Sequence, residues 1–202
     1  PSTQSLVQSS QPPSGMHYFV NPAGLDTNDG TSAQTAFATI QKTINVAMPG
    51  DTLYLADGYY EEDVKTVRAG REGLPIIITG SPNAVVTGSG QHSRVVEINH
   101  SFVQLIGFTI DGLVGDPDLE ESYRDKLLYI QGIEREGLQG VKILKMTLRN
   151  AGGECMRLRY LVREAEIAYI TIDTCGVYDF QFKAGGKNGE GIYIGTAPEQ
   201  LK

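Results

Sequence analysis

Three six-residue blocks recur through the second half of the chain: GFTIDG (107–112), KMTLRN (145–150) and YITIDT (169–174), with Thr109, Thr147 and Thr171 in register. A second set, VVEI (95–98), LLYI (127–130), MRLR (156–159) and IYIG (192–195), alternates with the first. The threonines lie 38 and 24 residues apart, and the second set starts at intervals of 32, 29 and 36. The shorter values describe the unit, lengthened by insertions such as 114–126 and 183–189. A repeat of about 20–30 residues built from short strands cannot bury its own apolar side chains, but coils stacked about 4.8 Å apart can. The repeat therefore predicts an all-β solenoid of about five to seven coils.

Alternation assigns the interior. Val103, Leu105, Phe108 and Ile110 fill one layer, Val141, Ile143, Met146 and Leu148 the next, and Ile167, Ile170 and Ile172 a third. Thr109 falls on the outward side. Upstream, His17–Val20, 52–55, 76–79 and 84–87 read as strands bounded by Gly, Pro, Asn or Asp. Phe37, Ile40, Ile44 and Ala47 recur at spacings of 3, 4 and 3, one face of a helix over 36–48. Thr35 is positioned to cap its start, and Pro49-Gly50 ends it. Such a helix can cover the open N-terminal end of the stack, where strand edges and core would meet water. Residues 1–15 are rich in Ser, Gln and Pro, the composition of an irregular tail, and 16–202 read as a single domain.

Composition excludes several functions. The formal charge of −7 argues against a nucleic-acid partner, whose phosphates need a basic surface. No apolar run approaches the roughly 20 residues of a membrane-spanning helix. His17, His92 and His100 lack metal-ligand spacing, and no nucleophile elbow, zinc signature or phosphate loop is present. Asp26, Asn28 and Asp29 before Gly30 look superficially like a calcium loop. The twelfth position counted from Asp26 is Phe37 rather than Glu, so side chains bonding nearby backbone explain them better. Cys155 and Cys175, 20 residues apart, can meet on neighbouring coils or sit as two buried thiols.

The segments Tyr18-Phe19-Val20, Gly24-x-Asp26-x-Asn28-x-Gly30-Thr31, Phe37-Ala38-Thr39-Ile40-Gln41-Lys42, Pro49-Gly50-Asp51-Thr52 and Gly58-Tyr59-Tyr60 carry a family resemblance. With them the chain resembles the secreted right-handed parallel β-helix superfamily that includes pectate lyases and chondroitinase B-like enzymes. The resemblance implies a right-handed parallel β-helix with an N-terminal capping α-helix, extracellular location, an acidic polysaccharide ligand and calcium as a cofactor. Two departures stand out. The chain is about half the usual extent, and the family's carboxylate cluster with a catalytic Lys or Arg has no match. The nearest grouping, Lys187-Asn188-Gly189-Glu190, reads as a Gly-rich loop.

Outward residues at equivalent places form columns along a solenoid. One column holds Glu97, Tyr129, Arg157 and Tyr193, the candidate substrate-binding residues. An aromatic face packs on a sugar ring, and an Arg fork grips a uronate carboxylate. The same residues also suit plain cross-strand stacking. A second column, Asp111, Arg149 and Asp173, has the acid–base–acid order of a structural salt ladder, with a catalytic role for Arg149 as the other reading. The threonine column reflects β-propensity better than ice binding. Two functional classes remain. In the first, a polysaccharide lyase neutralises a uronate carboxylate, removes the C5 proton with a basic side chain and eliminates the 4-linked sugar. No catalytic residue is assigned. In the second, a non-catalytic extracellular protein assembles end to end into a filament or surface layer.

The strand 191–195 is followed by seven residues including Pro198, too few for a second capping helix. The last coil is therefore expected to expose apolar side chains and unpaired backbone. A longer β-helix truncated here, the tail at 1–15 with Leu6 and Val7, or another copy of the chain could cover it. The family's usual length favours the first.

Two expectations are directly measurable. Arg157→Ala should weaken uronate binding without lowering the melting temperature, as calorimetry would show. Leu105→Asp places an unpaired charge in the stack and should unfold the chain, whereas outward Thr109→Val should be tolerated; circular dichroism showing equal stability of the pair would refute the inward/outward assignment.

Overall fold

A computed structural model describes residues 15–132, 136–185 and 189–196. Strand β1 (His17–Val20) precedes helix α1 (Ile40–Val46). Strand triplets follow: β2 (Thr52–Leu55), β3 (Gly58–Tyr60) and β4 (Val64–Lys65); then β5 (Ile76–Gly80), β6 (Ala84–Val86) and β7 (Arg94–Ile98). The third triplet is β8 (Val103–Ile106), β9 (Thr109–Asp111) and β10 (Lys126–Gln131). After the short β11 (Leu138–Gln139) come β12 (Lys142–Leu144), β13 (Thr147–Arg149) and β14 (Met156–Arg159). The last set is β15 (Val162–Arg163), β16 (Glu166–Ala168), β17 (Thr171–Asp173), the short helix α2 (Val177–Phe180) and β18 (Ile192–Ile194).

Equivalent strands pair in parallel to make three long sheets. The first runs β1-β2-β5-β8-β12-β16, the second β3-β6-β9-β13-β17 and the third β4-β7-β10-β14-β18. The fold is a mostly β parallel solenoid. Its register is that of the repeats: Thr109↔Thr147↔Thr171 in the second sheet and Glu97↔Tyr129↔Arg157↔Tyr193 in the third. Between the sheets lies one aliphatic core, including Leu53, Ile78, Leu105 and Ile143 from the first sheet and Ile110 and Leu148 from the second. The corner after β8 is a single left-handed residue, Gly107 (φ 89°), where a Cβ would meet the Gly80 carbonyl at 2.4 Å. Lys145 and Tyr169 take the same left-handed turn in the following coils.

The helix is shorter than its apolar spacing suggested. Residues 33–35 form a 3-10 turn, and Phe37 bridges to Val20 in extended conformation. Thr39 rather than Thr35 is the N-cap, its hydroxyl accepting from the Lys42 N–H. Phe37 keeps its place in the apolar pattern because it is buried against β1. Asp26 explains why the helix starts late: its carboxylate accepts from Ala38 N, Thr39 N and Thr39 Oγ1. Asp29 makes the local turn, accepting from Thr31 N at 3.0 Å. The 26–30 motif is thus occupied by protein donors.

α1 packs on the start of the stack, against β1 and β4. The Gln41 side chain treats Lys65 as a strand partner. Its Oε1 accepts from Lys65 N at 2.7 Å, and its Nε2 donates to Lys65 O at 3.0 Å. Residues flanking β4 bind both helix ends. Glu62 accepts from the Ile40 and Gln41 N–H groups at 2.7 and 2.9 Å. Arg68 donates to the Ile44, Asn45 and Ala47 carbonyls. An anion at the N-terminus and a cation at the C-terminus both complement the helix dipole.

Two further differences have clear causes. Thr109 points away from the central core but is only 2% exposed, and its hydroxyl donates to the Pro82 carbonyl at 2.7 Å. Thr109→Val therefore costs about 1 kcal/mol instead of being tolerated, because it deletes the hydrogen bond from the buried Thr109 hydroxyl. The segment after Asp51 is also not wholly strand, since α2 starts at the left-handed Gly176. Cys155 and Cys175 form a disulfide with a Cα–Cα distance of 5.7 Å. At the far end, inward-facing Ile194 is 74% exposed, and Ile167, Ile170 and Ile172 are only partly buried. The tail at 1–14, including Leu6 and Val7, lies outside the described residues, as do Lys187, Asn188 and 197–202 with Pro198.

Glu62→Ala leaves two helix N–H groups without their acceptor and should cost about 1–2 kcal/mol. Urea unfolding should show a lower midpoint at unchanged slope, with Gln41→Ala affected less because solvent can reach Lys65.

Candidate functional site

The third sheet carries most of the chemistry on its outer face. Lys65 of β4 extends the expected column, so that Lys65, Glu97, Tyr129, Arg157 and Tyr193 follow one another across five strands. Glu97 sits between Val96 and Ile98, both buried in the core, so its carboxylate is directed away from it. Four cations or amides converge on it, the most distant being Gln131 Nε2, which donates to Oε1 at 3.5 Å. Arg94 Nη1 approaches Oε2 at 2.7 Å, Lys65 Nζ approaches Oε1 at 3.2 Å, and Asn99 Nδ2 donates to Oε1 at 2.6 Å. Burial alone would raise the Glu97 pKa. The hydrogen bonds from Asn99 and Arg94 and the Arg94 charge outweigh it and hold the carboxyl below its ordinary value.

Tyr129 does not form an open sugar platform. It is 1% exposed, because the Arg94 guanidinium lies over its ring at 3.7 Å and Arg159 donates to its hydroxyl at 2.9 Å. The two arginines occupy the ring face and the polar edge that a ligand would need. Arg157 is also engaged, stacked over Tyr193 at 4.4 Å and paired with the fully buried Glu154 at 2.8 Å. Removing Arg157 withdraws the cation from a buried carboxylate, so Arg157→Ala lowers stability as well as any binding. Tyr193 is half-buried. The four expected residues do share one column, but only Glu97, Arg157 and Tyr193 retain solvent-facing surface.

A cleft of about 360 Å³ opens beside the start of this column, lined by Asp63, Lys65, His92, Ser93, Arg94 and Glu97. Lys65 is the most accessible cation there, its side chain 61% exposed despite the Glu97 contact. His92 is an exposed turn residue at the rim. Sequence reasoning missed Lys65 because β4 has only two residues, too few for alternation to register. Arg94 was missed because it precedes the VVEI block, and only the structure folds its guanidinium back over Tyr129.

The second column is a structural ladder. Arg149 Nε pairs with Asp111 Oδ2 at 2.7 Å, and Asn150 Nδ2 donates to Asp111 Oδ1 at 2.8 Å. Asp173 instead accepts from Thr174 Oγ1. The calcium implied by the family resemblance finds no donor set among the described residues, where no three His, Cys, Asp or Glu groups are placed to hold a metal. Asp63 is held by Ser89 N and Ser89 Oγ, and Glu97 by its cations. No step is therefore routed through calcium.

Comparison with known proteins agrees with this geometry at the level of fold. The model of a family described as "Protein of unknown function (DUF1565)" matches residues 22–144. The "Uncharacterized protein YwoF" of Bacillus subtilis (strain 168) is 30% identical over 92 residues, 46% of this chain and 19% of that protein. An alginate lyase from Paenibacillus sp. str. FPU-7 superposes with a TM-score of 0.61 at 20% identity, covering 80% of this chain and 48% of the lyase. Pectate lyase Pel9A gives 0.58 at 13% identity over 75% of this chain and 38% of that one. A GH136 lacto-N-biosidase from Eubacterium ramulus gives 0.63 at 14% identity over 89% and 40%. The chain thus spans less than half the length of these structures, and the likeness establishes a shared β-helix.

Because its folded pKa is depressed, Glu97 contributes stability above its unfolded pKa and loses it as the pH falls through the folded value. Glu97→Gln should melt below the native chain at neutral pH, and the gap should close on acidification. Melting curves from neutral to strongly acidic pH check the sign.

Proposed function

The chain belongs to the DUF1565 family, and from its site we propose that it is an extracellular β-helix protein that binds and cleaves an acidic polysaccharide by β-elimination. The observation that carries this reading is the cleft beside β4 and β7. It places an accessible ammonium, Lys65, a guanidinium, Arg94, and an imidazole, His92, around one opening. Lys65 and Arg94 are suited to hold a uronate carboxylate, which lowers the energy of the carbanion formed next to it. His92 is the candidate base. It would take the C5 proton as the C5–H electron pair forms the C4=C5 double bond, and the C4–O bond breaks with its oxygen taking a proton from water as the 4-linked sugar leaves. The Cys155–Cys175 disulfide fits an oxidising compartment, and no described helix is long and apolar enough to cross a membrane.

Pectate, alginate and chondroitin, each with and without calcium, should be incubated with the protein while ultraviolet absorbance of the unsaturated product is followed. Activity on one polymer that falls at least about a hundredfold in His92→Ala, with uronate affinity retained, is the expected result. Lys65→Ala should instead weaken binding. No product from any polymer would reject the lyase reading, and unchanged rates in both variants would move the chemistry away from this cleft.

A further inference from the structure

The outer face of the first sheet carries no formal charge across its first four strands. Strands β1, β2, β5 and β8 read HYFV, TLYL, IIITG and VQLI, without one Asp, Glu, Lys or Arg, in a chain that is 20% charged. Charge returns only at Lys142 and Glu166, which pair with each other across β12 and β16. Alternation directs Tyr18, Leu53, Ile78 and Leu105 to the core, so the neighbouring residues of these strands face outward.

Those outward residues are of three chemical kinds: the aliphatic Ile77 and Ile106, an aromatic group and a neutral polar group. His17, Phe19 and Tyr54 form a continuous aromatic cluster. The His17 and Tyr54 rings are 5.5 Å apart, and Phe19 stacks beside Tyr54 at 5.6 Å with 25° between planes. Thr52 and Thr79 lie in register beside His17 and Tyr54, and Gln104 follows beyond Ile77; all three supply neutral hydrogen-bonding groups. Tyr54 and His17 are exposed, and Phe19, Thr52, Thr79 and Gln104 are half-exposed. Beside the rings lies an apolar recess of about 140 Å³ between Phe19, Tyr54, Asn21 and the alanines Ala33, Ala36 and Ala56.

We infer that this face is a second carbohydrate site, distinct from the charged cleft, that takes a neutral polysaccharide of N-acetylated pyranose units. An exposed aromatic cluster offers apolar surface to the C–H groups of pyranose rings, and hydroxyl and amide groups beside it match sugar hydroxyls. The absence of charge decides the class. A uronate chain would bring carboxylates to a surface with no cation to receive them, whereas a neutral chain leaves no charge unpaired. The recess accepts a small apolar substituent, and its alanine lining fits the methyl of an acetamido group. The site shares no residue with the cleft, so it stands whether or not the chain is a lyase.

Retention of the 202-residue protein on chitin beads, insoluble cellulose and immobilised pectate tests the inference. The expected result is strongest retention on chitin, weaker on cellulose and none beyond background on pectate at moderate salt. Tyr54→Ala should weaken chitin retention about tenfold, the worth of one lost ring stack. Thr79→Glu should abolish it, and native melting temperatures of both variants should confirm their fold. His92→Ala and Lys65→Ala should retain full chitin binding, which separates this site from the cleft. Equal retention on cellulose and chitin would overturn the acetamido assignment. Absence of retention on both polymers would overturn the site, as would sedimentation showing self-association that Thr79→Glu abolishes, because the face would then be covered by a second copy.

Discussion

The parallel backbone ladder between coils organises this molecule, and its weak point is the first rung. Every strand from β5 to β14 in the three long sheets has a neighbour on both sides, so its N–H and C=O groups are paired by the stack. β4 has a strand neighbour only in β7. A single side-chain amide supplies the other: Gln41 both accepts from and donates to Lys65, as a β-strand residue would. The helix that carries Gln41 is held at one end by Glu62 and at the other by Arg68, the residues that bracket β4. Seven helical residues would not persist alone. The edge and its cover therefore stabilise each other, and an open template for aggregation becomes a closed end.

Acidic side chains serve the same purpose further along the stack. Asp57 binds Ser81 and Asn83 of the next coil, Asp63 binds Ser89, and Asp111 binds Arg149 and Asn150. Asp51 accepts from Met16 N and Met48 N, tying β1 to the exit of the helix. Much of the chain's acidic excess is thus engaged in connecting turns, where short carboxylates satisfy several N–H and O–H donors at once. The functional contrast lies in the cations. Arg68 and Arg149 are held by structural partners, while Lys65 remains mostly in water at the rim of the cleft. That difference is why the proposed function places its anionic ligand at the β4–β7 edge. The opposite chemistry, rings without charge, occupies the outer face of the first sheet.

Much of this architecture was legible in the amino-acid sequence, because a solenoid repeats one local problem. Strand positions, the inward layers and the alignment of Thr109 with Thr147 and Thr171 follow from period-two alternation within a repeating unit. The Glu97–Tyr129–Arg157–Tyr193 column follows for the same reason. Alternation states which side of the sheet a residue takes, but it cannot state what covers that side. Thr109 and Tyr129 face away from the central core and are nonetheless buried, one beneath the Pro82 carbonyl and the other beneath Arg94. The helix start shows a related limit: the apolar spacing from Phe37 is helical, but Asp26 claims the Ala38 and Thr39 N–H groups and holds that stretch extended.

The sequence by itself determined the repeat and the side of each strand that meets the core, and it left Cys155 and Cys175 able either to meet on neighbouring coils or to stay apart. These depend on separations along the chain that the coil length sets. Only the tertiary structure decided that the cysteines bond, that Gln41 completes the edge of β4, and that the cleft gathers Asp63, Lys65, His92 and Arg94. Each of these depends on where long side chains and irregular turns settle once the coils are stacked. That is set by desolvation and by competition for hydrogen-bond partners across coils, which no periodicity in the chain encodes.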